Sequence, residues 1–289
     1  MARVSFSQYS MWSTCPQQYK LAYIDGLSQS TSNIHSVFGT AMHETLQHYL
    51  DKCLRISKSQ ADKMIDLKEF LKERMRDTFL KETGGEIGNQ TICTKEEMIE
   101  FLYDGQVLLD WFQKSKNFNK FFSLKHDELV AIEQPINTKI AEGVNFMGFI
   151  DLIIRDKFNG KYRIIDFKTS TSGWSKYQKS DPVKNSQILL YKKFYAEMIG
   201  VSEDMIDVEF IILKRKVTIR EDIPTHRISK HIPANGKPSI NKAWNGFKAF
   251  VESVFDNTGN YKLETQYHKK PSKLCGWCEF YGTHCDGKN

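Results

Sequence analysis

The chain has 289 residues, 40% hydrophobic and 26% charged, a composition that supports a large packed core and excludes a disordered or fibrous protein. Its 41 Lys and Arg residues against 35 Asp and Glu give a net charge of +6, compatible with a polyanionic partner but not diagnostic of one. No run approaches the roughly twenty apolar residues that span a bilayer, the first ten residues lack a secretory signal's apolar run, and no G-x-x-x-x-G-K-S/T phosphate loop occurs. A cytoplasmic protein with no membrane partner and no nucleotide-driven motor is therefore expected.

In chain order, Ser5 or Ser7 is placed to cap a short helix, and Pro16 suits the first turn of a second one running to about Ile24. Phe38, Met42, Leu46, Leu50 and Leu54 recur at helical spacing and predict an amphipathic helix over about 37–56. Two more helices are expected at about 60–82 and 95–116, separated by the Gly-rich break TGGEIGNQ. The period then changes to two. ELVAIEQPINTKI, NFMGFIDLIIRD and KYRIIDFK read as three strands with turns at Glu142-Gly143 and Asn159-Gly160. A helix at about 183–199, strands near 207–214 and 226–232 and a helix at about 240–256 follow, and a polar tail holds three cysteines. This order predicts an α/β fold of the α+β kind: a helical N-terminal part, then a mixed central sheet, with a three-stranded meander, flanked by helices.

The chemistry concentrates where two strands end in acids. Side chains alternate along a strand, so Asp166 and Lys168 share one face while Ile165 and Phe167 take the other, and Asp151 closes the preceding strand. Carboxylates are the hard oxygen ligands of Mg²⁺ or Mn²⁺, and an adjacent ammonium can orient water and meet a phosphate's charge. The Asp-x-Lys string alone is common. Asp66-Leu67-Lys68 lies in a charged helical run, where it reads as part of a solvated charge pattern, and Asp286-Gly287-Lys288 lies in the tail.

Together these residues resemble the RecB-type nucleases of the PD-(D/E)xK phosphodiesterase superfamily. Gly39-x-x-x-His43 is similar to the family's first motif, Gly148-Phe-Ile-Asp151 to its second, Asp166-Phe-Lys168 to its third, and Gln187-x-x-x-Tyr191 to the motif on the following helix. The residue before Asp151 is Ile rather than Pro, a departure usual among RecB-type members. The resemblance implies a restriction-endonuclease-like core in which His43, Asp151, Asp166 and the carbonyl of Phe167 hold divalent metal. Lys168 would act on the attacking water, Gln187 would lie near the metal or the scissile phosphate, and Tyr191 would contact DNA. Glu133 is a weaker candidate for holding a metal-bound water, and equally fits a solvent-facing residue.

Cys15-Pro16 and Cys275-x2-Cys278-x6-Cys285 resemble the iron-sulfur subgroup, which includes CRISPR-adaptation nucleases and the AddB subunit of a recombination nuclease. The resemblance implies a 4Fe-4S cluster held by Cys15, Cys275, Cys278 and Cys285. The alternative is Zn²⁺, with His268 or His284 completing a tetrahedron. Cys53 and Cys93 read as ordinary thiols, and Trp277, Phe280 and Tyr281 as packing around the cysteines or as stacking platforms for bases. The basic runs Lys214-Arg215-Lys216 and Lys269-Lys270 read as solvated surface unless a cleft lies beside them.

These readings predict one nuclease domain over 1–289, in which 1–30 with 258–289 form a cluster clip, 31–126 a helical region and 127–257 the core. The expected activity is metal-dependent hydrolysis of DNA, as an exonuclease on single strands or DNA ends. Alternatives are a structure-specific or CRISPR-adaptation-type endonuclease, and a non-catalytic DNA-binding scaffold with a metal knot. A recombination or helicase partner would suit the activity, and the motor-free, Lys- and Asn-rich chain would suit a phage enzyme.

Overall fold

A computed structural model describes residues 1–28, 32–85, 92–218 and 225–288. The chain opens on a strand, β1 (Ala2–Val4), before α1 (Phe6–Thr14), which Ser5 caps by accepting from the Gln8 N–H. Pro16 starts α2 (Pro16–Tyr19), which runs on as a π-helical turn through Ile24. Asn33 caps α3 (Ile34–Arg55) by accepting from the N–H groups of His35 and Ser36.

The single helix expected at 60–82 is two, α4 (Lys58–Met64) and α5 (Leu67–Glu82). Ile65 turns extended, and the Asp66 carboxylate accepts from Lys68 and Glu69 N–H to start the second helix. Asp66 is thus a helix cap rather than part of a solvated charge pattern, while Lys68 reaches Asp110 at 2.7 Å. Of the Gly-rich break, residues 86–90 lie outside the described residues. The helix expected at 95–116 also divides, into α6 (Lys95–Gln113), with a Thr94/Glu97 capping box, and α7 (Ser115–Phe118).

The meander follows as β2 (Asp127–Ala141), β3 (Val144–Asp156) and β4 (Tyr162–Ser170). A short helix absent from the sequence reading, α8 (Lys176–Ser180), precedes α9 (Pro182–Ile199). Then come β5 (Ile206–Lys214), parallel to β4, β6 (Ile228–His231), antiparallel to β5, and α10 (Lys237–Val254). The sheet is mixed and six-stranded, as expected for this order of elements.

Two apolar cores lie on its faces. Phe146, Ile164 and Phe210 pack with Phe194 of α9 and Phe247 and Phe250 of α10. Ile165, Phe167 and Ile211 pack with Phe38 and Met42 of α3, Leu71 of α5 and Leu108 of α6. Alternation along β4 and β5 sends odd-numbered side chains to the α3 side and even-numbered ones to the α9 side. The tail returns to the first helices: the Gln17 N–H donates to the His268 carbonyl at 3.3 Å, and Lys270 Nζ to the Ser13 carbonyl at 3.0 Å. Among the described residues no helix is long and apolar enough to cross a membrane.

Candidate active site

The topology opens a notch in the sheet at Asp151. One edge of β3 is paired along its length by β2, and the other edge is shared. There β1 takes Val144 to Phe146 and β4 takes Leu152 to Arg155, so residues 147–151 lie between two diverging neighbours. Both β2 and β3 also roll over at this point. Ile136 and Ile150 face the α9 side, whereas Ile132 and Leu152 face the α3 side, although each pair is an even number of residues apart. The pairing keeps its register through Ile132–Leu152 and Gln134–Ile150, so no residue is inserted; the turn-over centres on Glu133 and Asp151. Glu133 takes φ +50°, a left-handed conformation that disfavours a side chain by roughly 1 kcal/mol or more.

Into this notch β4 sends Asp166 and Lys168, and α3 sends His43. Asp151 Oδ2 accepts a 2.7 Å hydrogen bond from the Phe167 N–H and lies 3.6 Å from His43 Nδ1. Lys168 Nζ sits 2.8 Å from Asp166 Oδ2 and donates to Gln187 Oε1 at 2.9 Å. Asp166 Oδ2 is buried and takes only this ionic contact from Lys168 among the described residues. Gly39 sets the approach of α3 to β4: a Cβ there would stand 3.3 Å from Thr169 Oγ1, and His43 follows one turn later.

The electrostatics describe a pocket short of positive charge. Burial pushes both acids up, against the pull of Lys168, and each reaches about 6. Repulsion from Asp151 adds to the rise at Asp166. Burial lowers the His43 imidazole to about 4, opposed chiefly by Asp166. Two buried carboxylates and a neutral imidazole form a donor set suited to a hard divalent cation. Among the described residues, however, no three His, Cys, Asp or Glu side chains are drawn tightly enough together to form a ligand shell.

Gln187 and Tyr191 do lie on one face of α9, and Gln187 Nε2 is 3.5 Å from the Tyr191 hydroxyl. The Tyr191 ring, only 4% exposed, is a core residue packed over Gly148, where a Cβ would come within 3.0 Å of it. Its hydroxyl alone borders the site, and burial holds its pKa above the usual tyrosine value. Glu133 does not simply face solvent. Gln47 donates to its carboxylate and, at 3.3 Å, to the Asp151 carbonyl. Gln47 was absent from the sequence reading, though its place four residues after His43 puts both on one face of α3.

A family model described as the PD-(D/E)XK nuclease superfamily matches residues 3–283. The chain belongs to this superfamily. The mixed sheet flanked by helices is the restriction-endonuclease-like architecture of PD-(D/E)XK nucleases, and membership supports a hydrolytic nuclease acting on DNA. No curated protein matches the chain.

In this PD-(D/E)XK chain the four cysteines Cys15, Cys275, Cys278 and Cys285 border one small pocket with Leu21 and Phe280. Neither His268 nor His284 lines it. Burial raises the Cys278 thiol, and the three other cysteines raise it further through their charges. Phe280 is buried beside them, whereas Trp277 is 90% exposed, so packing accounts for Phe280 and not for Trp277. Cys53 is buried in the α3 core, and Cys93 is buried at the start of the α6 region. Within Lys214-Arg215-Lys216, Arg215 pairs with Asp104 at 2.6 Å and Glu100 at 2.9 Å and Lys216 with Glu100 at 2.8 Å, while Lys214 has no acidic partner among the described residues. Lys269 is likewise committed, to Asp286 at 2.8 Å.

Proposed function

We propose that the protein is a RecB-type, metal-dependent deoxyribonuclease that works as an exonuclease on single-stranded DNA or DNA ends. The observation that carries this reading is the meeting of Asp151, Asp166 and Lys168 at one buried place, with Asp151 held on the Phe167 N–H and Lys168 Nζ 2.8 Å from Asp166. His43, Asp151, Asp166 and the Phe167 carbonyl are the residues to hold Mg²⁺ or Mn²⁺. Such an ion supplies Lewis-acid polarisation of the scissile phosphate and of water.

The chain's own groups supply the rest. Lys168, held by Gln187, orients the attacking water and offsets the charge that builds on phosphorus's oxygens in the transition state. Gln47 and Glu133 keep the Asp151 strand in its rolled-over conformation, and the Glu133 carboxylate can accept a proton from that water. Water oxygen bonds to phosphorus, one P–O ester bond breaks, and the leaving oxygen takes a proton from solvent. No covalent enzyme intermediate is needed.

We propose further that Cys15, Cys275, Cys278 and Cys285 hold a 4Fe-4S cluster. Four cysteine thiols line one pocket with no histidine among its lining residues, which supplies the four thiolates such a cluster takes and sets aside a zinc site completed by His268 or His284. Its role would be structural, joining the tail to α1 and α2.

Incubating linear and circular single-stranded DNA with Mg²⁺, with Mn²⁺ and with EDTA tests the function. An exonuclease digests the linear strand in either metal, spares the circle and is silent in EDTA. Cutting of the circle instead favours the endonuclease alternative, and metal-independent cutting of both would refute the reading.

A further inference from the structure

The chain between β4 and α9 carries lysines and aromatics that the site chemistry does not use. It leaves the sheet at the catalytic end of β4 and is tied back to β5, because Arg215 N–H donates to the Ser170 carbonyl at 2.9 Å and Lys216 N–H to the Thr171 carbonyl at 2.7 Å. Asn185 Nδ2 donates to the Lys179 carbonyl at 2.9 Å and fixes α8 to α9. The Trp174 ring packs against Phe210 at 5.0 Å, and Lys184 Nζ lies over the indole at 5.6 Å. This is a built surface rather than a loose loop.

Lys214 belongs to it. The parallel register pairs Ser170 with Lys214 and Lys168 with Ile212, so Lys214 lies on the Lys168 face of the sheet, one strand over and two residues, about 7 Å, further along. Its stem crosses Gly173, where φ is +99° and a Cβ would come within 3.0 Å of Lys214 Cε. Lys193, Lys216 and Lys230 each have a carboxylate partner. Lys176, Lys179, Lys184 and Lys214 have none within ion-pair distance among the described residues. The segment's own acid, Asp181, is turned inward to cap α9 through the N–H groups of Val183 and Lys184. Burial lowers the Lys214 ammonium, and repulsion from Lys179 lowers it further, as for two cations that share a space without an anion. On the same short helix as Lys179, Tyr177 stands 88% exposed with no ring partner among the described residues.

We propose that Lys179, Lys214 and Tyr177 form a tract that a single DNA strand follows into the Asp151–Asp166–Lys168 site. The inference rests on the nuclease reading for its direction. Two unpaired ammoniums supply the phosphate contacts, and the exposed phenol ring supplies a face on which an unpaired base can stack. A duplex keeps its base faces covered, so the aromatic element selects for a single strand.

Fluorescence anisotropy of a labelled oligothymidylate tests this in EDTA, where no cutting is expected, across a salt series. The double variant Lys179→Gln, Lys214→Gln keeps both stems and should weaken binding roughly tenfold, with the slope of log Kd against log salt falling by about 1.4. Tyr177→Ala should weaken binding about fivefold or more with the slope unchanged. The Lys179→Arg, Lys214→Arg variant should restore the wild-type slope, while Lys72→Ala and Lys139→Ala, which remove lysines already paired with acids, should change neither quantity. Wild-type binding with tract variants within twofold and an unaltered slope would overturn the tract and leave the nuclease reading standing. Loss of binding in the tract variants would support the tract even if the wild type proved unable to cut. A wild type that fails to bind the single strand at all would overturn the tract, while the nuclease reading stands or falls on the cleavage assay in Mg²⁺ and Mn²⁺.

Discussion

Asp151 is held by the strand that carries its partners, because its Oδ2 accepts a 2.7 Å hydrogen bond from the backbone N–H of Phe167, between Asp166 and Lys168. The two acids reach the site by different routes. Asp166 points there by strand alternation alone, whereas Asp151 depends on the local roll of β2 and β3 and on the gap between β1 and β4. The cost of gathering two buried acids is recorded in their raised pKa values and in the left-handed Glu133.

Replacing the most buried acid should stabilise the metal-free protein. Burial raises the Asp166 carboxyl from 3.8 to about 6. Ionising it therefore destabilises the fold as pH rises from the unfolded value toward 6, and the full cost persists above that. Asp166→Asn removes this cost, and in EDTA at pH 7.5 the variant should gain about 3 kcal/mol of stability. At pH 4 the difference should shrink toward zero. Thermal melts at the two pH values check this, and a lower melting temperature at pH 7.5 contradicts it.

Gln47 should matter to rate more than to substrate binding. It is buried, and it joins α3 to both Glu133 and the Asp151 carbonyl. Gln47→Ala should lower kcat about tenfold with KM for DNA changed less than threefold, since a displaced positioning group costs alignment rather than phosphate contacts. Steady-state kinetics separate the two, and an unchanged kcat would reduce Gln47 to a packing residue.

Asp66 should affect stability and leave cleavage intact. Its carboxylate caps α5, so Asp66→Ala should cost about 1 kcal/mol, read as a lower urea midpoint, at a wild-type cleavage rate. Lys68→Ala, which loses only an exposed pair, should leave both near wild type. A cleavage defect in either variant would place the α5 Asp-x-Lys in the chemistry.

The cysteine quartet yields a colour test. Protein handled without oxygen should be brown, and substitution of Cys15, Cys275, Cys278 or Cys285 by Ser should bleach it and lower the melting temperature, because the cluster would join the two ends of the chain. Cys53→Ser and Cys93→Ser should keep the colour. Colourless wild-type protein with stoichiometric zinc would favour the zinc alternative, and wild-type protein without iron or zinc would exclude both.

The long periodic elements were legible in the sequence. The α3 stripe and the β2–β3–β4 alternation extended over enough residues to fix element type, and the Asp-x-Lys on β4 could be separated from its copies by context. β1 was not legible, since three residues cannot display an alternation, and its pairing is long-range. The break at Ile65 was missed because Asp66 read as one charge among many, while its capping role depends on backbone geometry. The resemblance gives Tyr191 a DNA contact, but a tyrosine on a helix fits core as well as contact, and the buried ring packed over Gly148 shows what sequence alone does not. The roll at Glu133 leaves no trace in composition. Gln47 was visible as a polar residue one turn after His43, but a single glutamine carries little signal without the strand opposite it.

The central claim is that Asp166 and Lys168 on β4 drive divalent-metal-dependent hydrolysis of DNA. End-labelled linear single-stranded DNA, incubated in Mn²⁺ with wild type, Asp166→Asn and Lys168→Ala, tests it most directly. The account predicts progressive shortening by the wild type, none in EDTA, and rates at least about a thousandfold lower for both variants, with a melting temperature no lower than the wild type's for Asp166→Asn and a folded, wild-type circular dichroism spectrum at the assay temperature for Lys168→Ala, whose loss leaves the two acids without their cation. Cleavage by either variant at the wild-type rate would contradict it.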